Sequence, residues 1–197
     1  MGVAHDAVSQ VLSATACFIL IYLATFETSF IVVFPAFLLI TGIVLQIYFS
    51  RRLEYVDHLA ESAPSITYYT LVALAGFAVA SVLAPALARG PRAMELTGID
   101  AVLYAVLIAV AEEQFFRGAL MNMIEGFTHS PIAAVAGSST VFMVYHFGVY
   151  GTRADALIYV FFGGLVLAWV AWRSGRLSPA MLAHMLNNFM AFVVVLR

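Results

Sequence analysis

Long stretches of this sequence carry no charge, and that scarcity limits its fold more than any other feature. Apolar runs close to the length that takes an α-helix across a hydrocarbon core, about 20 residues, recur along most of the 197-residue chain. They extend approximately from Ala7 to Phe26, Thr28 to Phe49, Ile66 to Ala88, Ile99 to Glu125, Pro131 to Tyr150, Ala156 to Trp172 and Pro179 to Leu196. Barrel strands are about half as long and alternate apolar with polar residues, which these runs do not do. With 63% hydrophobic residues, 10% charged and a mean hydropathy of +0.99, the chain lacks the charge, roughly a quarter of residues, of a soluble domain. The expectation is an all-α, polytopic transmembrane bundle of about seven helices. Residues 1–197 read as one integral membrane domain, with three spans lacking any specific motif in 1–98 and a four-helix core in 99–197.

The breaks fall where turn chemistry places them. RRLEYVDHLAESAPS, residues 51–65, is the main polar linker, and ARGPRAMELTG and WRSGRLSP hold Gly/Pro turns. Ser130-Pro131 and Ser178-Pro179 each offer a hydroxyl at an N-cap and a proline at the first helical position, a combination that starts helices. No basic residue precedes the first span and no small-residue cleavage motif follows it, so it is expected to be retained rather than removed. Loop arginines tie at four on each side, and only the Arg51-Arg52 cluster tips the larger loop towards the cytoplasm. The single Cys17 excludes an internal disulfide and a CxxC site. A formal charge of −2 without runs of like charge gives no reason to expect a nucleic-acid partner.

Against this apolar background, Glu112, Glu113 and Arg117 lie inside the fourth run, in VLIAVAEEQFFRGAL. Each charge there costs about 2.5 to 3.5 kcal/mol on insertion scales and marks a functional position by default. Glu113 and Arg117 are spaced i, i+4, so carboxylate and guanidinium can pair on one helix face. Glu112 points about 100° away and is left over as a base. Two other runs hold one histidine each: His146 in VFMVYHFGVY and His184 in PAMLAHMLNNF, with Asn188 one turn beyond His184. A carboxylate, two imidazoles and an amide are the parts needed to activate water and to hold the oxyanion of a tetrahedral intermediate.

Glu112-Glu113-xxx-Arg117, Phe142-xxx-His146 and His184-xxx-Asn188 resemble, in order, the EExxxR, FxxxH and HxxxN motifs of the CPBP intramembrane proteases. That family includes the CAAX prenyl endopeptidases and the bacteriocin-processing, Abi-like proteins, and the similarity covers roughly Ala101 to Phe192. The resemblance implies an intramembrane endopeptidase of the cell membrane acting on a peptide or prenylated protein, with membrane lipid as its surroundings. It also implies that Glu112 and His146 activate the attacking water, that His184 and Asn188 stabilise the oxyanion, and that Glu113 and Arg117 form a supporting ion pair. Metal dependence stays open. Glu112, His146 and His184 are three acceptable zinc ligands with a fourth position free, whereas the absence of HExxH and the donor role of Asn188 favour catalysis without a cofactor.

Other readings of the same residues remain. A proton-coupled transporter or immunity protein would use Glu112, His146 and His184 as a relay without hydrolysis. Gly42, Gly76 and Gly163-Gly164 read as close-packing points, Phe115 and Phe116 as packed or lipid-facing, and Asn187 as a partner for a neighbouring helix. Ser138 and Ser139 precede His146 by about 10 Å of helix, too far for a nucleophile and base on that helix. Straight spans set a difficulty: His184 would lie about 9 Å inside the membrane and His146 about 22 Å from the same face. Tilt, or a re-entrant turn over Gly175 to Pro179, is needed to bring them level.

Overall fold

The computed structural model describes residues 33–50, 66–83 and 99–195, and among these there is no strand. The first span expected from the sequence, Cys17, the polar linker 51–65 and the turn that contains Arg89 and Arg92 lie outside the described residues. Helices α1 (Val33–Ser50) and α2 (Ile66–Leu83) are followed by α3 (Ile99–Glu113), a π-helical segment (Gln114–Leu120) and α4 (Met121–Thr128). Then come α5 (Pro131–Tyr145), the single turn α6 (Phe147–Tyr150), α7 (Ala154–Ser174) and α8 (Ser178–Val195). Two apolar helical stretches, Pro131–Tyr150 and Ala154–Ser174, are long enough to cross a membrane.

Local sequence explains the boundaries. Ser130 is extended at φ −133°, its hydroxyl accepts from the Ala133 N–H at 3.3 Å, and Pro131 opens α5 behind it. At the other expected start the helix begins one residue early: Ser178 is already helical, and the Leu177 carbonyl accepts from the Met181 N–H at 2.9 Å. The hydroxyl that organises this turn is instead Ser174, which accepts from the Arg176 N–H at 3.2 Å while Gly175 takes the left-handed conformation at φ 63° that ends α7.

Two interruptions were not expected from the apolar pattern. The run from Ile99 is helical as read, but its centre, Gln114–Leu120, bonds i→i+5. This widened register begins directly after the two glutamates, at the kind of place where π segments often mark function. The run from Pro131 also breaks, at His146. The Phe142 carbonyl accepts both the His146 backbone N–H at 3.3 Å and its ring Nδ1–H at 2.8 Å, and the backbone N–H is shared with the Met143 carbonyl at 3.1 Å. The imidazole thus competes for the helical acceptor and tightens the last turn.

The π segment sits at the centre of the packing. Helix α1 lies across it so closely that a Cβ on Gly42 would stand 3.0 Å from the Phe115 backbone, and Gln114 donates from its side chain to Gln46 on α1. Phe115 and Phe116 are core residues, 2% and 0% exposed, and do not face lipid. Gly76 and Gly163 mark the meeting of α2 with α7, where added methyls would strike Val166 and Phe77. Large apolar side chains such as Ile40, Val44, Leu71, Val79 and Met190 are exposed on the outside of the bundle.

Because the atoms facing Gly42 are backbone, Gly42→Ala has no flexible neighbour to displace. It should lower stability by about 1 to 3 kcal/mol, seen as a lower Tm of the detergent-solubilised protein. An unchanged Tm would show that α1 does not press on the π segment.

Candidate active site

Three side chains that an apolar interior would expel lie together at the junction of α3 and the π segment. Glu112 is 4% exposed, while Glu113 and Arg117 are fully buried. Arg117 Nη1 donates to Glu113 Oε1 at 3.0 Å, and its Nη2 donates to the Gly164 carbonyl on α7 at 3.1 Å. Its guanidinium also stands 4.4 Å from the centre of the Phe142 ring, so a full positive charge is met by a carboxylate, a carbonyl and an aromatic face. Gly164 permits this because Phe142 and Ser139 lie 3.3 Å from where its Cβ would be.

The same Glu113 oxygen accepts a second hydrogen bond. His184 Nδ1 donates to Oε1 at 2.8 Å, which leaves Nε2 directed at Glu112 Oε2, 3.6 Å away. One imidazole from α8 therefore lies between two carboxylates of α3. The buried group of two carboxylates, one guanidinium and one imidazole is neutral when a single proton is carried between Glu112 and His184, which is the balance a low-dielectric interior favours. The Tyr145 hydroxyl supplies a further hydrogen bond to Glu112.

His146 approaches from α5. Its Nδ1 is held by the Phe142 carbonyl, which can only accept, so Nδ1 carries the hydrogen and Nε2 keeps its lone pair. Both imidazoles face one ring: His146 lies 4.4 Å and His184 6.0 Å, centroid to centroid, from Phe142. The straight-span arithmetic that set them at different depths therefore fails, since His184 comes level with the turn that precedes His146. Asn188, one turn beyond His184, is half-buried. Its neighbour Asn187 is engaged elsewhere, accepting from the Tyr159 hydroxyl at 2.8 Å.

The structure thus brings Glu112, Glu113, Arg117 and His184 into one bonded group and places His146 across Phe142 from it. Sequence reasoning did not assign Phe142, although the four-residue spacing in FxxxH already puts both its ring and its carbonyl one turn below the histidine. Nor did it find that Glu113 holds His184 as well as Arg117. Among the described residues, no three His, Cys, Asp or Glu side chains are gathered so as to hold a metal ion. Glu112 and His184 make a close pair, and His146 does not complete it. The hydroxyls of Ser138 and Ser139 donate to the carbonyls of Phe116 and Val135 at 2.9 and 2.7 Å, so neither is presented as a nucleophile.

The model of the type II CAAX prenyl endopeptidase Rce1-like family matches residues 95–190. By that match, this segment is similar to the Rce1-like family. It contains every residue of the buried polar group and both histidines, and the family is one of membrane peptidases, which implies a protein or peptide substrate. Searches of the curated proteins and of the solved structures find no match to the chain.

Glu113→Gln should leave Arg117 buried without its carboxylate, at a cost of about 3 to 5 kcal/mol, and should release His184 as well. Poor expression or a strongly lowered Tm is expected, and replacing Arg117 by Met in the same chain should restore part of the loss. A Glu113→Gln protein as stable as wild type would show that this carboxylate does not hold the group together.

Proposed function

We propose that this protein is a multi-pass intramembrane endopeptidase that hydrolyses a peptide bond of a protein substrate with water activated by Glu112. The observation that carries this reading is the placement of His184 between Glu113 and Glu112, with bonds or contacts of 2.8 and 3.6 Å. That placement separates the two carboxylates into an anchor and a base.

In this mechanism Glu112, oriented by Tyr145, takes a proton from water as the water oxygen attacks the scissile carbonyl carbon. His146, whose Nε2 keeps a lone pair, accepts the other water hydrogen as a hydrogen bond and fixes the direction of attack. The negative charge that develops on the substrate oxygen is met by the Nε2–H of protonated His184 and by the Asn188 carboxamide. The proton held by Glu112 then passes to the leaving nitrogen as the C–N bond breaks. The second water proton, still on the new carboxylic acid, passes to the amine, so a carboxylate and an ammonium are released and the site returns to its starting charge. No step in this scheme uses a metal ion.

Several features support the reading. The match to the Rce1-like family supplies the peptidase class. Two described helices have the length and composition to cross a membrane, and the remaining spans expected from the sequence, about seven in all, complete a polytopic bundle in the cell membrane. The reaction needs a base, an oriented imidazole and oxyanion donors without a side-chain nucleophile. The serines nearest the site are already committed to backbone carbonyls.

Glu112→Gln keeps size and shape but cannot accept the proton. Cleavage of an internally quenched farnesylated CaaX peptide by this variant should fall by at least about two orders of magnitude with Tm little changed, and undiminished turnover would remove Glu112 from the mechanism. Asn188→Ala should lower kcat by about 10² to 10³ at similar KM, and chelators should leave wild-type turnover intact. Stoichiometric zinc that leaves together with activity on chelation would contradict the metal-free scheme.

A further inference from the structure

His146 stands at the break between α5 and α6, where a side chain is free to swing, yet three aromatic rings confine it. Phe142, four residues before it, packs at 4.4 Å and 64°. Tyr145, its neighbour, packs edge-on at 5.0 Å and 84°. Tyr150, four residues after it, stacks on the imidazole at 5.8 Å with only 13° between the ring planes. The one-turn helix α6 exists between these contacts: the His146 carbonyl accepts the Tyr150 N–H at 2.9 Å, and Gly151, at φ 59°, turns the chain away immediately afterwards. The sequence from Phe142 therefore reads F-xxx-H-xxx-Y, with an aromatic residue one helical turn on either side of the histidine.

We propose that Tyr150 is a positioning residue for His146. Its ring fixes the plane of the imidazole, so that Nδ1–H stays on the Phe142 carbonyl and Nε2 stays available as an acceptor beside the catalytic group. The hydrogen bond alone, 2.8 Å to a carbonyl, leaves the ring free to tilt about the N–H···O axis. A parallel aromatic neighbour removes that freedom, and edge-on Tyr145 limits the remaining swing. Tyr145 is also tied to Glu112 by its hydroxyl, so the three consecutive functions of base, orienting hydroxyl and imidazole share one aromatic wall. The role assigned to Tyr150 needs its ring and not its hydroxyl. This inference deepens the hydrolytic reading and rests on it for its kinetic consequence, although the ring geometry it describes does not depend on catalysis.

The test compares wild type, Tyr150→Phe, Tyr150→Leu and Tyr150→Ala in the full-length protein, by two measurements. Nitrogen NMR of ring-labelled histidine, with His146 assigned by difference from His146→Asn, should show a protonated Nδ1 and an unprotonated Nε2 in wild type and in Tyr150→Phe. In Tyr150→Leu and Tyr150→Ala it should show averaged signals from a ring that reorients. In turnover of the farnesylated CaaX peptide, Tyr150→Phe should keep wild-type kcat, while the leucine and alanine variants should lose about 10- to 100-fold in kcat at unchanged KM. The leucine variant preserves bulk and serves where alanine compromises the fold. Wild-type ring signals in the leucine variant would overturn the proposal, and so would a Tyr150→Phe protein as impaired as Tyr150→Ala. A wild-type protein that fails to cleave but shows the expected ring signals would count against the hydrolytic reading and leave the positioning of His146 standing.

Discussion

A single oxygen atom, Oε1 of Glu113, accepts hydrogen bonds from Arg117 at 3.0 Å and from His184 at 2.8 Å, and the arrangement of the helices around it follows from satisfying those charges. A carboxylate and a guanidinium without exposure in an apolar bundle are tolerable only where each meets several partners. Arg117 finds its further partners on α7 and α5, through the Gly164 carbonyl and the Phe142 ring. His184 brings in α8. Five elements are therefore held to one point by polar and cation–π contacts.

Phe142 performs the complementary task in apolar form. Its ring meets Arg117, His146 and His184, packs edge-on to Phe116 at 5.0 Å, and lies close against Gly164. Its carbonyl fixes the tautomer of His146. The two imidazoles are thereby given different settings by different neighbours: one is bonded to a carboxylate with its Nε2 directed at Glu112, the other to a carbonyl with its Nε2 left as a hydrogen-bond acceptor. Such division of labour between like groups, set by environment, is how a site of few residues obtains distinct acid and base functions.

Much of this was legible in the sequence because intramembrane charge is so costly. Glu112, Glu113, Arg117, His146 and His184 are conspicuous in apolar text, and helical spacing alone relates Glu113 to Arg117 and His184 to Asn188. Ser130-Pro131 announces α5 through chemistry local to the chain. The π register after Glu113 was not legible, because QFFRGAL has no residue that distinguishes i→i+5 bonding from i→i+4; close packing of Gly42 on the Phe115 backbone acts there from outside the segment. The break at His146 was hidden for a similar reason, since hydropathy does not register an imidazole competing for the Phe142 carbonyl. The depth conflict between His146 and His184 came from treating helices as straight and normal to the membrane, a restriction that polar contacts between α3 and α8 override.

The central claim is that water, activated by Glu112, attacks the scissile carbonyl directly. Its most direct test is cleavage of the farnesylated CaaX peptide by the purified protein in lipid vesicles, in ¹⁸O-labelled water containing hydroxylamine, with the products read by mass spectrometry. Direct attack predicts one ¹⁸O in the newly formed carboxylate and no hydroxamate. Hydroxamate formation would reveal an acyl-enzyme and a side-chain nucleophile, and would contradict the account.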